Sequence, residues 1–329
     1  MRKFWRGRRA DNPNQIPATG WLDVLWRVKA EMADDRINML AAGIAFYALL
    51  SLFPAMGAVI SLWALVFDPM QVASQIGELS RFMPPGGAQL INDQAVEVSE
   101  NTDTGLSLTA VLGLLVAMFL ASKGVRGLMI GLNVVYGEED RRGLGHRMLV
   151  VAALTVGLIV ISLAATIFVA LYPLAVGWLA LEGPLVTLIK WLRWPALLLL
   201  MMFVIAVLYR YGPYRTSPRW EWVSTGTVTA TLLWLLGSSG LSLYVGQVAN
   251  LDQLYGSLGA VVVLMLWFWL SSFVVLLGAE INAEMERQTR RDTTVGEPRP
   301  MGQRGAYAAD TVGPKRPRQR PRRQQGDDP

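Results

Sequence analysis

Residues Gly105 to Tyr136 read GLSLTAVLGLLVAMFLASKGVRGLMIGLNVVY, and their reading decides the fold. From Thr104 to Ser122 the chain carries 19 consecutive uncharged residues, enough at the helical rise to cross a hydrocarbon core. Lys123 and Arg126 then arrive before the apolar pattern stops, so the helix is expected to run on to Tyr136. At about 100° per residue, Gly113, Ala117, Gly124 and Gly131 fall within roughly 40° of one another. Such a stripe of small residues lets a second helix backbone come close in lipid. Arg126 and Asn133 lie on another side, about 20° apart. One helix thus has a packing face, a polar face and two cations near one membrane boundary, and is expected to be central.

The rest of the chain repeats the theme. Apolar residues make up 53% and the mean hydropathy is +0.35, the balance of a membrane protein. Charge-free runs cover Ile37–Phe67, Thr104–Ser122, Met148–Leu181, Trp194–Tyr209, Trp222–Leu251 and Gln253–Ala279. They predict an all-α polytopic protein with six transmembrane helices. The fourth run is short and spans only if it starts near Leu188, with Lys190 and Arg193 reaching the interface.

Cations set the orientation. Eight precede Ile37, and eleven follow Ala279. The segment Asp68–Asp103 holds Arg81 alone, against six acids. Basic and non-basic loops alternate, apart from Lys190 and Arg193. Both termini are expected in the cytoplasm, and the external segment 68–104 is expected to form a helical hairpin split by Pro84-Pro85-Gly86-Gly87.

Composition divides the chain into a disordered basic N-terminus (1–18), a membrane domain (19–287) and a disordered Arg/Pro-rich tail (288–329). Trp21, Leu25, Val28 and Met32 recur at helical spacing, predicting an amphipathic helix in the interface or packed on the bundle's end. Anionic lipid headgroups are the expected partners of the basic ends. Tyr307 is the tail's only aromatic residue, which disfavours nucleic acid.

Chemistry narrows the function. There is no cysteine and a single histidine, His146, so neither a Cys-His pair nor a multi-histidine metal centre can form. No phosphate-binding glycine loop occurs, and no cofactor is implied. The expectation is a non-enzyme. Pro54 should kink the first helix, its freed carbonyl re-satisfied by Ser51 or water. The residues expected to line a solute path are Tyr47, Ser51, Lys123, Arg126, Asn133, Glu280 and Asn282. Because charges at membrane depth need partners, Glu280 is expected to pair with Lys123 or Arg126. The leading reading is a secondary transporter or exporter of a small or lipid-like solute. The alternative is a non-transporting scaffold for envelope machinery.

Several ordered blocks carry a resemblance: AAGIAFYALLSLFP (41–54), SKGVRGLMIGLNVVY (122–136), YRYGP (209–213), YGSLGAVVVLMLW (255–267) and LLGAEINAE (276–284). From about Trp21 to Arg287 the chain resembles the YihY/BrkB family of bacterial inner-membrane proteins. The resemblance implies six helices with both ends cytoplasmic, and an activity that is uncharacterised in the family but linked to virulence and to transport across the envelope. Some members carry a "ribonuclease BN" label; the single histidine and absent cysteines rank nuclease activity last here.

Overall fold

The protein, seen in a computed structural model, is described for residues 6–66, 108–178, 184–247 and 258–317. Its helices are α1 (Ala18–Asp34), α2 (Ile37–Val66), α3 (Leu108–Val135), α4 (Leu144–Trp178), α5 (Pro184–Tyr211), α6 (Trp220–Gln247), α7 (Gly259–Glu286) and the single turn α8 (Tyr307–Asp310). Six of these, α2 to α7, are long and apolar enough to cross a membrane. The all-α polytopic expectation therefore holds. The helix α5 begins at Pro184, earlier than expected, and α4 runs on through Pro173 to Trp178. The expected external hairpin lies outside the described residues.

The small-residue stripe does what its spacing predicts. A side chain built on Gly124 would meet the backbone of Ala48 and Ile44, and one on Gly127 the Ile44 side chain. Gly113 faces Pro54, and Gly131 is covered by Leu276. Thus α3 lies against α2 along much of its length, and α7 closes over the pair. The hub, however, is α7, which packs on α1, α2, α3, α6 and α8. Gly278, Ala279 and Ala283 give it small surfaces on several sides, where α3 offers one stripe. Pro54 sits inside α2, but Ser51 donates to Ala48 O (2.8 Å) and not to the carbonyl that Pro54 frees.

The helix α3 stops because Gly137 takes a left-handed φ of +66°, letting Glu138 N–H return to Asn133 O at 2.8 Å. A residue with Cβ there would also strike the Tyr307 ring.

The largest correction concerns the terminal segments. Composition reads 1–18 and 288–329 as disordered, yet residues 6–17 and 288–317 fold over one end of the bundle. Arg290 N–H bonds Arg8 O (3.0 Å), Thr289 Oγ1 donates to Ala10 O (2.7 Å), and Arg219 N–H meets Thr293 O (2.9 Å). Arg304 is buried and donates to the carbonyls of Arg290, Arg291, Arg299 and Ala309. These arginines order the tail by saturating backbone acceptors, a use of cations that composition alone does not reveal.

The helix α1 also corrects its sequence reading in part. Its buried face holds Asp23, Val24, Arg27 and Val28 against α7, whereas Leu22, Leu25 and Trp26 point outward. It is a packed helix with an apolar outer face.

Candidate functional site

The last two turns of α7 read Gly278-Ala279-Glu280-Ile281-Asn282-Ala283-Glu284-Met285-Glu286, and every one of these residues is buried. Three carboxylates and one amide on a buried helix need partners from every side. Three of the four take different ones. Glu284 is held by Arg27 and Arg287, and Arg27 also donates to Glu284 O (2.8 Å) and Pro314 O (3.0 Å). Glu286 receives both guanidinium nitrogens of Arg215 (3.1 and 2.6 Å) and the Thr293 hydroxyl (2.7 Å). Asn282 ties α7 to α6, accepting from Gly226 N–H (2.7 Å) and donating to Val223 O (3.1 Å).

Glu280 is the exception. It is 1% exposed, and its Oε2 has no hydrogen-bond partner. It borders a cavity of about 180 Å³ beside Glu31, Asp35, Tyr136, Arg287 and Tyr307. Two further buried atoms without partners, Tyr136 Oη and Arg287 Nε, belong to residues bordering the same cavity. Among the described residues there are six such orphans, so half of them belong to residues that border one space. Buried polar groups are ordinarily satisfied by protein or water. This cavity is therefore built for polar contents. Arg287 reaches Glu31 at 2.8 Å as well as Glu284, and among the described residues no ion pair is made by Asp35, which also borders the cavity.

Burial, with Glu31 and Asp34 nearby, raises the Asp35 carboxyl from 3.8 to about 6, against the pull of Arg287. Burial likewise raises Glu138, although Tyr307 N–H donates to its Oε1 at 2.7 Å. The stability owed to the Asp35 proton is complete below pH 3.8 and lost as pH rises through about 6. Asp35→Asn is therefore expected to stabilise the protein at pH 7.5 by about 1 kcal/mol, allowing for its half-exposure, and to be neutral near pH 4. Thermal unfolding in detergent at both pH values measures this.

The path residues read from sequence separate into groups. Glu280 lies at the cavity. Asn133 and Asn282 are buried nearby but bond to backbone, Asn133 Oδ1 accepting from Tyr214 N–H at 2.7 Å. Tyr47 is exposed and edge-on to Phe46. Lys123 stands over the Phe119 ring at 4.8 Å, and Arg126 is exposed in a small hollow with Asp140 and Arg147. Among the described residues no ion pair joins Lys123 or Arg126 to Glu280. The expected pairing is therefore not formed: Arg27 and Arg287 pair with Glu284 instead, and Glu280 Oε2 keeps no partner. His146 is exposed, but it lies in the first turn of α4 and not in a loop.

The sequence reading missed Glu31, Asp35, Tyr136 and Arg287. A signal existed: acids at 280 and 284, and at 286, occupy different faces of α7, so one flanking helix could not neutralise them all.

The fold and its charged end define a class, the six-helix polytopic membrane proteins. The chain belongs to the Virulence factor BrkB family, whose family model matches residues 28–302. It is similar to the putative ribonuclease-like protein YfkH of Bacillus subtilis, 29% identical over 259 residues that cover 76% of this chain and 90% of that one. A UPF0761 membrane protein of Methylibium petroleiphilum is 24% identical over 86% of this chain and 67% of its own length. One of Vibrio parahaemolyticus is 26% identical, covering 78% and 80%. No solved structure matches.

Proposed function

We propose that the chain is a secondary transporter of the bacterial cytoplasmic membrane, for a small or lipid-like solute, in which Glu280 carries the coupling proton or small cation. The observation behind this reading is a cavity bordered by Glu280, Tyr136 and Arg287, each of which carries a buried side-chain atom with no hydrogen-bond partner. A carboxyl buried without a partner is costly, and a polar cavity beside it gives that carboxyl an exchange route. Asp35 and Glu31 border the same cavity as Glu280, at the basic end that the charge bias assigns to the cytoplasm.

The absence of cysteine makes a direct test available. Ala283 borders the cavity. In proteoliposomes, Ala283→Cys is expected to react with an impermeant thiol reagent from the basic side at one pH gradient and from the opposite side when the gradient is reversed. Glu280→Gln should confine the reaction to one side, with about a tenfold fall from the other. Labelling from one side only, unmoved by the gradient or by Glu280→Gln, would give precedence to the envelope-scaffold reading.

A further inference from the structure

We infer a second, separate site: the cleft between α4 and α5 at the basic end binds an acidic amphiphile, a phosphate-bearing headgroup with an acyl chain. The two helices run antiparallel, so α5 ends at Tyr211 level with the start of α4 at Leu144. Between them lies a cleft of about 320 Å³. Arg142, His146 and Arg210 border its polar part; Val150, Ala153 and Leu154 of α4 form its apolar wall.

The chemistry of the two arginines singles this cleft out. Arg142 donates to Gly212 O (3.1 Å) and Pro213 O (2.8 Å) and lies over the Tyr214 ring at 5.3 Å. Arg210 donates to Pro218 O (2.6 Å) and lies over Trp220 at 4.6 Å. These partners are neutral. They hold the guanidinium groups in place without cancelling their charge.

The nearby acid offsets the charge of Arg142 only in part. Asp140 approaches Arg142 only to 4.0 Å and is engaged by Arg147 at 3.0 Å. Arg215, which also borders the cleft, is spent on Glu286. Among the described residues no carboxylate pairs with Arg210. A guanidinium keeps several donors, so two fixed ones can grip a phosphodiester in fork geometry.

Depth selects the ligand. Arg142 and Arg210 flank the ends of the spans Leu144–Ala165 and Trp194–Tyr211, where headgroups lie. Tyr211, Tyr214 and Trp220 stand exposed at the same level, as an aromatic belt does. Phe203 is exposed about two turns from Arg210 along α5 and continues the apolar surface into the membrane. A free phosphate could use the arginines alone; the Val150–Leu154 wall adds room for a chain. The site does not depend on the transport reading.

The test uses the full-length protein in neutral detergent, titrated with phosphatidylglycerol or phosphatidylcholine and read by native mass spectrometry. Phosphatidylglycerol adducts are expected to exceed phosphatidylcholine adducts by about tenfold. The double variant R142Q/R210Q should erase the preference. Arg141→Gln should keep it, because Arg141 and its partner Glu139 are exposed. Ala153→Trp, which fills the wall and leaves both guanidinium groups in place, should also lower adducts about tenfold, and serves if the double variant does not fold. Equal retention of the two lipids, an unchanged preference in R142Q/R210Q, or full binding by Ala153→Trp would overturn the proposal. So would displacement of the lipid by inorganic phosphate at equal concentration, the mark of a simple anion site.

Discussion

Replacing Glu284 with alanine is expected to destabilise the protein by about 3–5 kcal/mol, among the largest losses from any single substitution in this chain. Glu284 and Arg27 are 1% and 2% exposed, and both carboxylate oxygens are used, one by Arg27 and one by Arg287. Alanine leaves the Arg27 guanidinium in its buried seat with only carbonyls of Glu284 and Pro314 to face. Burying an unpaired charge costs far more than the pair contributed. The midpoint of thermal unfolding in detergent should fall by about 10 °C. Removing both charges together, as R27M/E284M, should recover most of the loss, since apolar residues of similar volume replace a buried pair with little cost. E284A should also loosen the tail, because Glu284 fixes the Arg27 guanidinium that donates to Pro314 O. Trypsin would then cut within 299–316 first. An E284A protein with unchanged midpoint and an uncut tail would show that the pair does not organise this end.

The second large effect belongs to the contact between α6 and α7. A methyl on Gly278 would lie 2.7 Å from both Ala230 Cβ and Gly226 O, and would strike the Tyr209 hydroxyl. One on Gly226 would overlap the Gly278 carbonyl and come within 2.5 Å of the Asn282 amide carbon. The obstacles include backbone, which cannot rotate aside as a side chain can. Gly278→Ala should therefore cost about 1–3 kcal/mol, and Gly278→Val more. The strain would also pull apart the Asn282 bonds to α6 and the Tyr209 hydroxyl bond to Val275 O (2.6 Å). Gly157→Ala and Gly240→Ala are the controls, because a methyl there meets nothing within 4 Å. Helix propensity should make them neutral or stabilising by up to about 1 kcal/mol. Equal midpoints for Gly278→Ala and Gly240→Ala would refute the close approach of these two helices.

Both predictions fall at the same end of the bundle, where the cavity also lies. Tyr307 borders that cavity and packs on Gly137, so the tail forms part of its wall. The residues that place the tail (Arg8, Arg27 and Arg304) act on the site through position alone.

The sequence by itself determined the six spans, because a hydrocarbon solvent demands long apolar helices wherever they sit in the fold. It also determined that the α3 stripe is a packing face, since Gly113, Gly124 and Gly131 align from helical geometry alone. Glu280 stood out as a charge that needs an explanation. Only the tertiary structure decided which charges meet. Arg27 reaches Glu284 across 257 positions, and Arg8 reaches Gly313 across 305. Composition near either end says nothing of such a partner, and an arginine-rich segment looks solvated until its carbonyl acceptors are seen. Local pattern left Lys123 and Arg126 as the natural companions of Glu280. Among the described residues that pairing does not form, and Glu280 keeps an unpaired oxygen beside a polar cavity.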